Sequence, residues 1–258
     1  MGSEPIFRGV GVALLTLFDA DGELLVGATA EHAAGLAMLG VRAIVVAGTT
    51  GEAAALAPEE RDALVAAVRQ ALPRDVPVLA GTGAPTGVEA VKLTRAAAAA
   101  GADAALVLSP GGVTDPSDYY RQVADSAGDL PLLAYHFPLA SSPGIPLKLL
   151  PGLPVRGVKD SSGDAERLAF MLERYDGETF VGSPTLLALA GPLGATGAIL
   201  ALANLEPERC LEAWAGDVGA QRALLATHLS TSEAFPRVLK ERVAERFGTP
   251  TGVRRVLA

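Results

Sequence analysis

Short apolar runs recur along this chain roughly every 20–35 residues, with Ala-rich, charge-bearing segments between them. The runs are dense in Val, Ile and Leu and hold few polar positions. That is the pattern of parallel strands buried on both faces. Strands are expected over residues 11–17, 43–47, 78–81, 104–108, 132–135, 157–159, 180–182 and 197–200. Eight such strands with helical segments between them predict an α/β fold of the (β/α)8 TIM-barrel type. A doubly wound sheet would need a Gly-rich dinucleotide turn after its first strand. The first run leads instead into Leu17-Phe18-Asp19-Ala20-Asp21-Gly22, which has no such turn.

Helix signals fit this frame. Pro58-Glu59-Glu60-Arg61 opens one helix with acidic residues in its first turn, and Gly40 and Gly101 are stops for two others. Residues 206–229 and 232–247 read as two further helices, with Asn204 and Glu206-Pro207-Glu208 opening the first. The expected division is a catalytic barrel over residues 1–228 and a short helical extension over 229–258 packed on its side.

Composition narrows the partners. The chain has 258 residues, 50% of them apolar, enough for a core without disulfides. Cys210 is the one cysteine, so a reducing, cytoplasmic compartment is expected. The net charge is −8 with no basic cluster, which argues against nucleic acid and anionic membrane as partners. The first residues lack the basic and apolar regions of a signal peptide, and no apolar stretch reaches membrane-spanning length.

In such a barrel the chemistry sits at the C-terminal strand ends. Lys92, Lys148, Lys159 and Lys240 are the lysines, and Lys159 is the one that ends a buried run. Burial disfavours an ammonium, and a neutral amine can form a Schiff base with a carbonyl. A surface lysine opening a loop is the competing reading, and position alone leaves both open. Gly48-Thr49-Thr50-Gly51-Glu52 is a turn whose backbone N–H groups and adjoining helix N-terminus can hold a small anion. Threonines that merely cap the helix are the alternative. Tyr135 ends the fifth strand, where a phenol can relay a proton or simply fill the core. His136 should point away from the barrel interior, and His32 and His228 fall on helices as packing or surface residues. Asp160, Asp164 and Glu166 are expected to cap and open a helix. No metal-ligand spacing, nucleophile elbow or phosphate loop is present.

Taken in order, the motifs resemble those of the dihydrodipicolinate synthase / N-acetylneuraminate lyase family of pyruvate-dependent class I aldolases. They are Gly48-Thr49-Thr50-Gly51-Glu52, Ala80-Gly81-Thr82-Gly83, Tyr135-x-x-Pro138, the run from Gly157 to Asp164, and Gly194-Ala195-x-Gly197. The resemblance runs from Gly9 to about residue 245. It implies a pyruvate imine on Lys159 and proton transfer by Tyr135. It implies a carboxylate site built from Gly48, Thr49 and Thr50, with the Ile199 backbone lining the same pocket. It also implies no metal or organic cofactor and a homodimer or homotetramer.

Two departures stand out. The synthases carry a tyrosine after the fourth strand that reaches a neighbouring subunit, and here Gly111-Gly112 occupies that segment. They also carry an arginine after the fifth-strand proline, and here the stretch is Leu139-Ala140-Ser141-Ser142-Pro143-Gly144. The expected activity is therefore cleavage or formation of a 2-oxo acid such as a 2-keto-3-deoxy sugar acid. The alternatives are 4-hydroxy-tetrahydrodipicolinate synthesis from pyruvate and aspartate semialdehyde, a dehydratase using the same imine, and a non-catalytic keto-acid-binding barrel.

Overall fold

The computed structural model describes residues 4–254. Eight parallel strands close into a barrel in chain order: β1 Gly9–Ala13, β2 Ile44–Val46, β3 Val78–Gly81, β4 Ala104–Leu108, β5 Leu132–His136, β6 Gly157–Asp160, β7 Glu178–Val181 and β8 Gly197–Leu200. β1 pairs with β2 on one side and β8 on the other, so the sheet has no free edge. Helices α1 Val26–Met38, α2 Pro58–Ala71, α3 Gly87–Ala99, α4 Ser117–Ala124, α5 Ala165–Arg174, α6 Leu187–Ala190 and α7 Pro207–Trp214 surround it. Helices α8 Val218–Ser232 and α9 Arg237–Phe247 complete the described chain. None of the described helices is long and apolar enough to cross a membrane.

The apolar side chains form two layers. Outward-facing residues such as Val10, Val46, Val107 and Val158 pack under the helices. Inward-facing residues such as Val45, Leu79, Leu106 and Leu133 fill the barrel itself. Phe7 and Phe180 stack at 4.7 Å between centroids inside this inner layer. Small residues make the inner packing possible. A Cβ on Gly81 would lie 2.2 Å from the Ala47 carbonyl oxygen.

Several elements differ from the sequence expectation. The apolar run over 11–17 predicts a longer first strand, but β1 pairs only as far as Ala13. Beyond that the chain leaves the ladder, and the Leu15 and Leu17 N–H groups bond to the Asn204 and Thr29 side chains. The β5–β6 connection carries a 3-10 helix, Leu147–Gly152, in place of the expected barrel helix. Pro143, Pro146, Pro151 and Pro154 deny that segment the N–H groups and backbone freedom that an α-helix needs.

The helix expected over 206–229 is divided into α7 and α8. Gly216 takes a left-handed φ of 101°, and the Asp217 carboxylate accepts the Ala220 N–H at 2.8 Å, capping a new helix. The helix expected from residue 232 starts at Arg237, after Pro236. Asn204, expected to open a helix, is instead fully buried. Its side chain accepts the Leu15 N–H and donates to the Ala13 and Ala201 carbonyls at 2.7 and 2.8 Å. It stitches the end of β8 to β1.

Candidate active site

β5 and β6 run side by side, with Tyr135 in register with Lys159 and His136 with Asp160. Alternation along the strands sends the first pair into the barrel and the second outward. Lys159 is 4% exposed, and its Nζ lies 4.2 Å from the centroid of the Tyr135 ring. Among the described residues it has no hydrogen bond or ion pair. A bare glycine just past the next strand, β7, leaves it room. A Cβ at Gly182 would stand 3.0 Å from Lys159 Cε and 1.8 Å from Ser161 Oγ.

The outward pair is tied down. Asp160 forms a buried ion pair with Arg167 and accepts the Ser162 N–H at 2.9 Å. Asp164 caps α5 through the Glu166 and Arg167 N–H groups, as expected. His136 Nδ1 accepts the Ile145 N–H at 2.8 Å, and burial pushes its pKa down to about 4. This fixes a neutral ring on the back of β5, away from the barrel interior as the sequence implied.

The Gly48–Glu52 segment lies at the end of β2. In a closed eight-strand order, β2 is directly across the mouth from β6. The turn is closed by Glu52 N–H to Thr49 O at 3.1 Å and Ala53 N–H to Gly48 O at 3.2 Å. Thr50 is buried, Gly48 and Thr49 are half-buried, and neither threonine hydroxyl makes a hydrogen bond among the described residues. The threonines do not cap a helix. A three-residue 3-10 turn, Ala53–Ala55, comes after them, and α2 begins only at Pro58. The α-helix N-terminus expected at this turn is therefore displaced to Pro58. Ile199 lies on β8, a quarter-turn from both, fully buried in the inner layer.

The strand-four loop contains no aromatic at the mouth. Gly112 N–H bonds to Ser142 O at 2.7 Å, and the Ser141 hydroxyl donates to the Ser109 carbonyl. The loops after β4 and β5 are thus zipped together within one chain. Tyr119 and Tyr120 are committed elsewhere. Tyr119 Oη donates to the Ala84 and Leu108 carbonyls, and Tyr120 Oη to Val107 O at 2.9 Å, locking α4 to the barrel. Segments 81–85, 109–114, 137–143, 161–163 and 182–185, which leave five of the strands, contain no charged residue.

Sequence reasoning missed two residues here. Phe137 faces the same way as Tyr135, is half-exposed, and stacks on it at 5.8 Å with 13° between the rings. Strand alternation from Tyr135 would have found it. Glu52 is 2% exposed and paired with Lys240 of α9 at 2.6 Å, a contact no local pattern signals.

The sequence matches the model of the dihydrodipicolinate synthetase family over residues 6–240. The chain belongs to that family. As a member it is a lyase with the barrel described above. An uncharacterized DapA-like lyase of Halobacterium salinarum is 37% identical over 78% of this chain and 69% of its own. A 4-hydroxy-tetrahydrodipicolinate synthase of Thiobacillus denitrificans is 36% identical over 96% of this chain and 90% of its own. Among solved structures, YagE of E. coli, a prophage protein of the dihydrodipicolinic acid synthase family in complex with pyruvate, superposes with a TM-score of 0.88. It is 28% identical, and the match covers 96% of this chain and 92% of that one.

Proposed function

We propose that this family member is a class I aldolase that forms a pyruvate imine on Lys159 and cleaves or makes a 2-oxo acid of the 2-keto-3-deoxy sugar acid type. The observation that carries the reading is the buried amine of Lys159, free of any ion pair, packed beside the Tyr135 phenol. In the synthetic direction the neutral Lys159 amine adds to C2 of pyruvate, the adduct takes up one proton, and water leaves, giving the protonated imine. Loss of a C3 proton yields an enamine, because the imine accepts the electron pair. C3 then attacks the aldehyde carbon, a carbon–carbon bond forms, and the aldehyde oxygen takes up a proton. Water finally hydrolyses the imine and frees the amine. Cleavage is the same sequence reversed. Tyr135 carries the protons, and its stacking on Phe137 holds the phenol beside the amine. Thr49 and Thr50, with the Gly48 backbone, take the pyruvate carboxylate, and the Ile199 backbone lines the pocket.

The charge-free segments that leave β3 to β7 support an uncharged aldehyde as the second partner. A second carboxylate would be desolvated at this mouth without a counter-ion, which is costly. The near full-length match to a 4-hydroxy-tetrahydrodipicolinate synthase favours a second reading, condensation with aspartate semialdehyde. That reading must do without the relay tyrosine and the arginine. A homodimer or homotetramer in the cytoplasm fits both readings.

Borohydride trapping with pyruvate, mapped by peptide mass, tests the imine. An adduct on Lys159 supports it, and its absence in folded protein rejects it. Turnover of 2-keto-3-deoxy acids against aspartate semialdehyde then separates the two readings.

A further inference from the structure

The turn that faces Lys159 across the barrel mouth is held from behind by the C-terminal part of the chain. Glu52, its last residue, has a left-handed φ of 57°, an uncommon conformation for a residue with a side chain. Its carboxylate receives Lys240 Nζ from α9 at 2.6 Å and the Arg254 N–H at 2.8 Å. Lys240 is 0% exposed and also donates to the Gly252 carbonyl at 2.6 Å. Arg254 continues the strap. Its guanidinium binds Gly22 O at 2.6 Å and Glu60 at 2.7 Å, and lies 4.5 Å from the Phe18 ring centroid.

Stability alone is a poor reason for such an arrangement. Removing two charges from water is costly, and an apolar pair of similar size is often as stable. A buried ion pair with three directed hydrogen bonds supplies a fixed geometry instead. It is applied at the residue whose φ shapes the turn, two positions from Thr50 and three from Thr49.

We infer that the Glu52–Lys240 pair is a positioning device that sets the Gly48–Glu52 turn, so that the C-terminal extension is a working part of the active site. The inference rests on the proposed role of this turn as the pyruvate carboxylate holder.

The test compares wild type with Lys240→Arg and with the double variant Glu52→Gln, Lys240→Met. The double variant removes both charges together, so no unpaired ion is left buried to unfold the protein. Amide hydrogen exchange over residues 48–56 reads the turn without reference to activity. Borohydride trapping at graded pyruvate concentrations separates half-saturation from maximal rate.

In the folded double variant, exchange at 48–56 should rise while β5 and β6 stay protected. Half-saturating pyruvate should rise about 10–100-fold with a small change in maximal trapping rate, the scale expected of a misplaced binding group. Lys240→Arg, which keeps the charge, should leave both close to wild type. Unchanged exchange in the folded double variant overturns the inference. So does faster exchange with unchanged half-saturation. If wild type takes up no pyruvate, the functional reading fails by itself. The exchange comparison then decides whether the pair positions the turn.

Discussion

Tyr135 and Lys159 are opposite one another across β5 and β6, with the lysine amine 4.2 Å from the centre of the phenol ring. Adjacent strands in register bring an amine and a phenol together without any loop motion. Phe137, just past the end of β5, stacks on the phenol and limits its movement. Replacing Tyr135 with Phe should preserve the fold and the ring stack while lowering kcat by about 10²–10⁴-fold, the usual range for a general acid–base group. Lys159→Ala should abolish the pyruvate adduct entirely. A Lys159→Ala protein that still cleaves a 2-keto-3-deoxy acid would exclude the imine mechanism.

Gly182 gives a purely steric prediction. A methyl group there would collide with Ser161 Oγ at 1.8 Å and crowd Lys159 Cε at 3.0 Å. Gly182→Ala should cost about 1–3 kcal/mol through overpacking. It should also slow imine formation more than pyruvate binding. Thermal melting read with the trapping rate checks both, and a normal trapping rate would show that the lysine does not need this space.

Acid should destabilise the protein through two buried histidines. Burial lowers His32 and His136 to about 4, against an ordinary value of 6.5. The unfolded chain therefore binds protons before the folded one does. Their contribution is fully present above pH 6.5 and is lost as the pH falls towards 4. At His136 the reason is visible: protonated Nδ1 would face the Ile145 N–H, donor against donor, with Asp160 and Asp164 opposing the loss of charge and Arg167 adding to it. Melting temperature should fall across that window, and His136→Gln should flatten part of the slope. A flat profile in wild type would contradict the assignment.

The zipped loops after β4 and β5 bear on assembly. Gly111 and Gly112 offer no side chain to a neighbouring subunit, and their loop bonds to Ser141 and Ser142 of the same chain. Specific activity should hold constant as the protein is diluted through dissociation of any oligomer. A steep loss on dilution would mean that a second subunit completes the site.

Much of the fold is legible in the chain itself. Three of the strands, β3, β4 and β8, fall where the apolar runs place them, because a strand buried on both faces has no other pattern. Lys159 and Tyr135 stand out because each polar group ends such a run. Less is legible where polar groups decide the course. β1 ends early because the Asn204 and Thr29 side chains take the next N–H groups, and prolines replace a helix between β5 and β6. The helix after β8 breaks at Gly216, whose left-handed φ marks a stop that hydrophobic periodicity does not record.

The sequence by itself determined the alternation of strands and helices, the closed barrel, and the residues that stand at its mouth. Continuous apolar runs carry the first, because a strand buried on both faces has few polar positions, their number of eight points to the barrel, and the polar residues that end them mark its mouth. The tertiary structure alone decided which polar groups meet. Glu52 finds Lys240 at a separation of 188 residues, and Asn204 finds Ala13 at 191. Neither contact leaves a pattern along the chain. The cost of burying an unpaired polar group selects each of them, and that cost exists only once the core has closed.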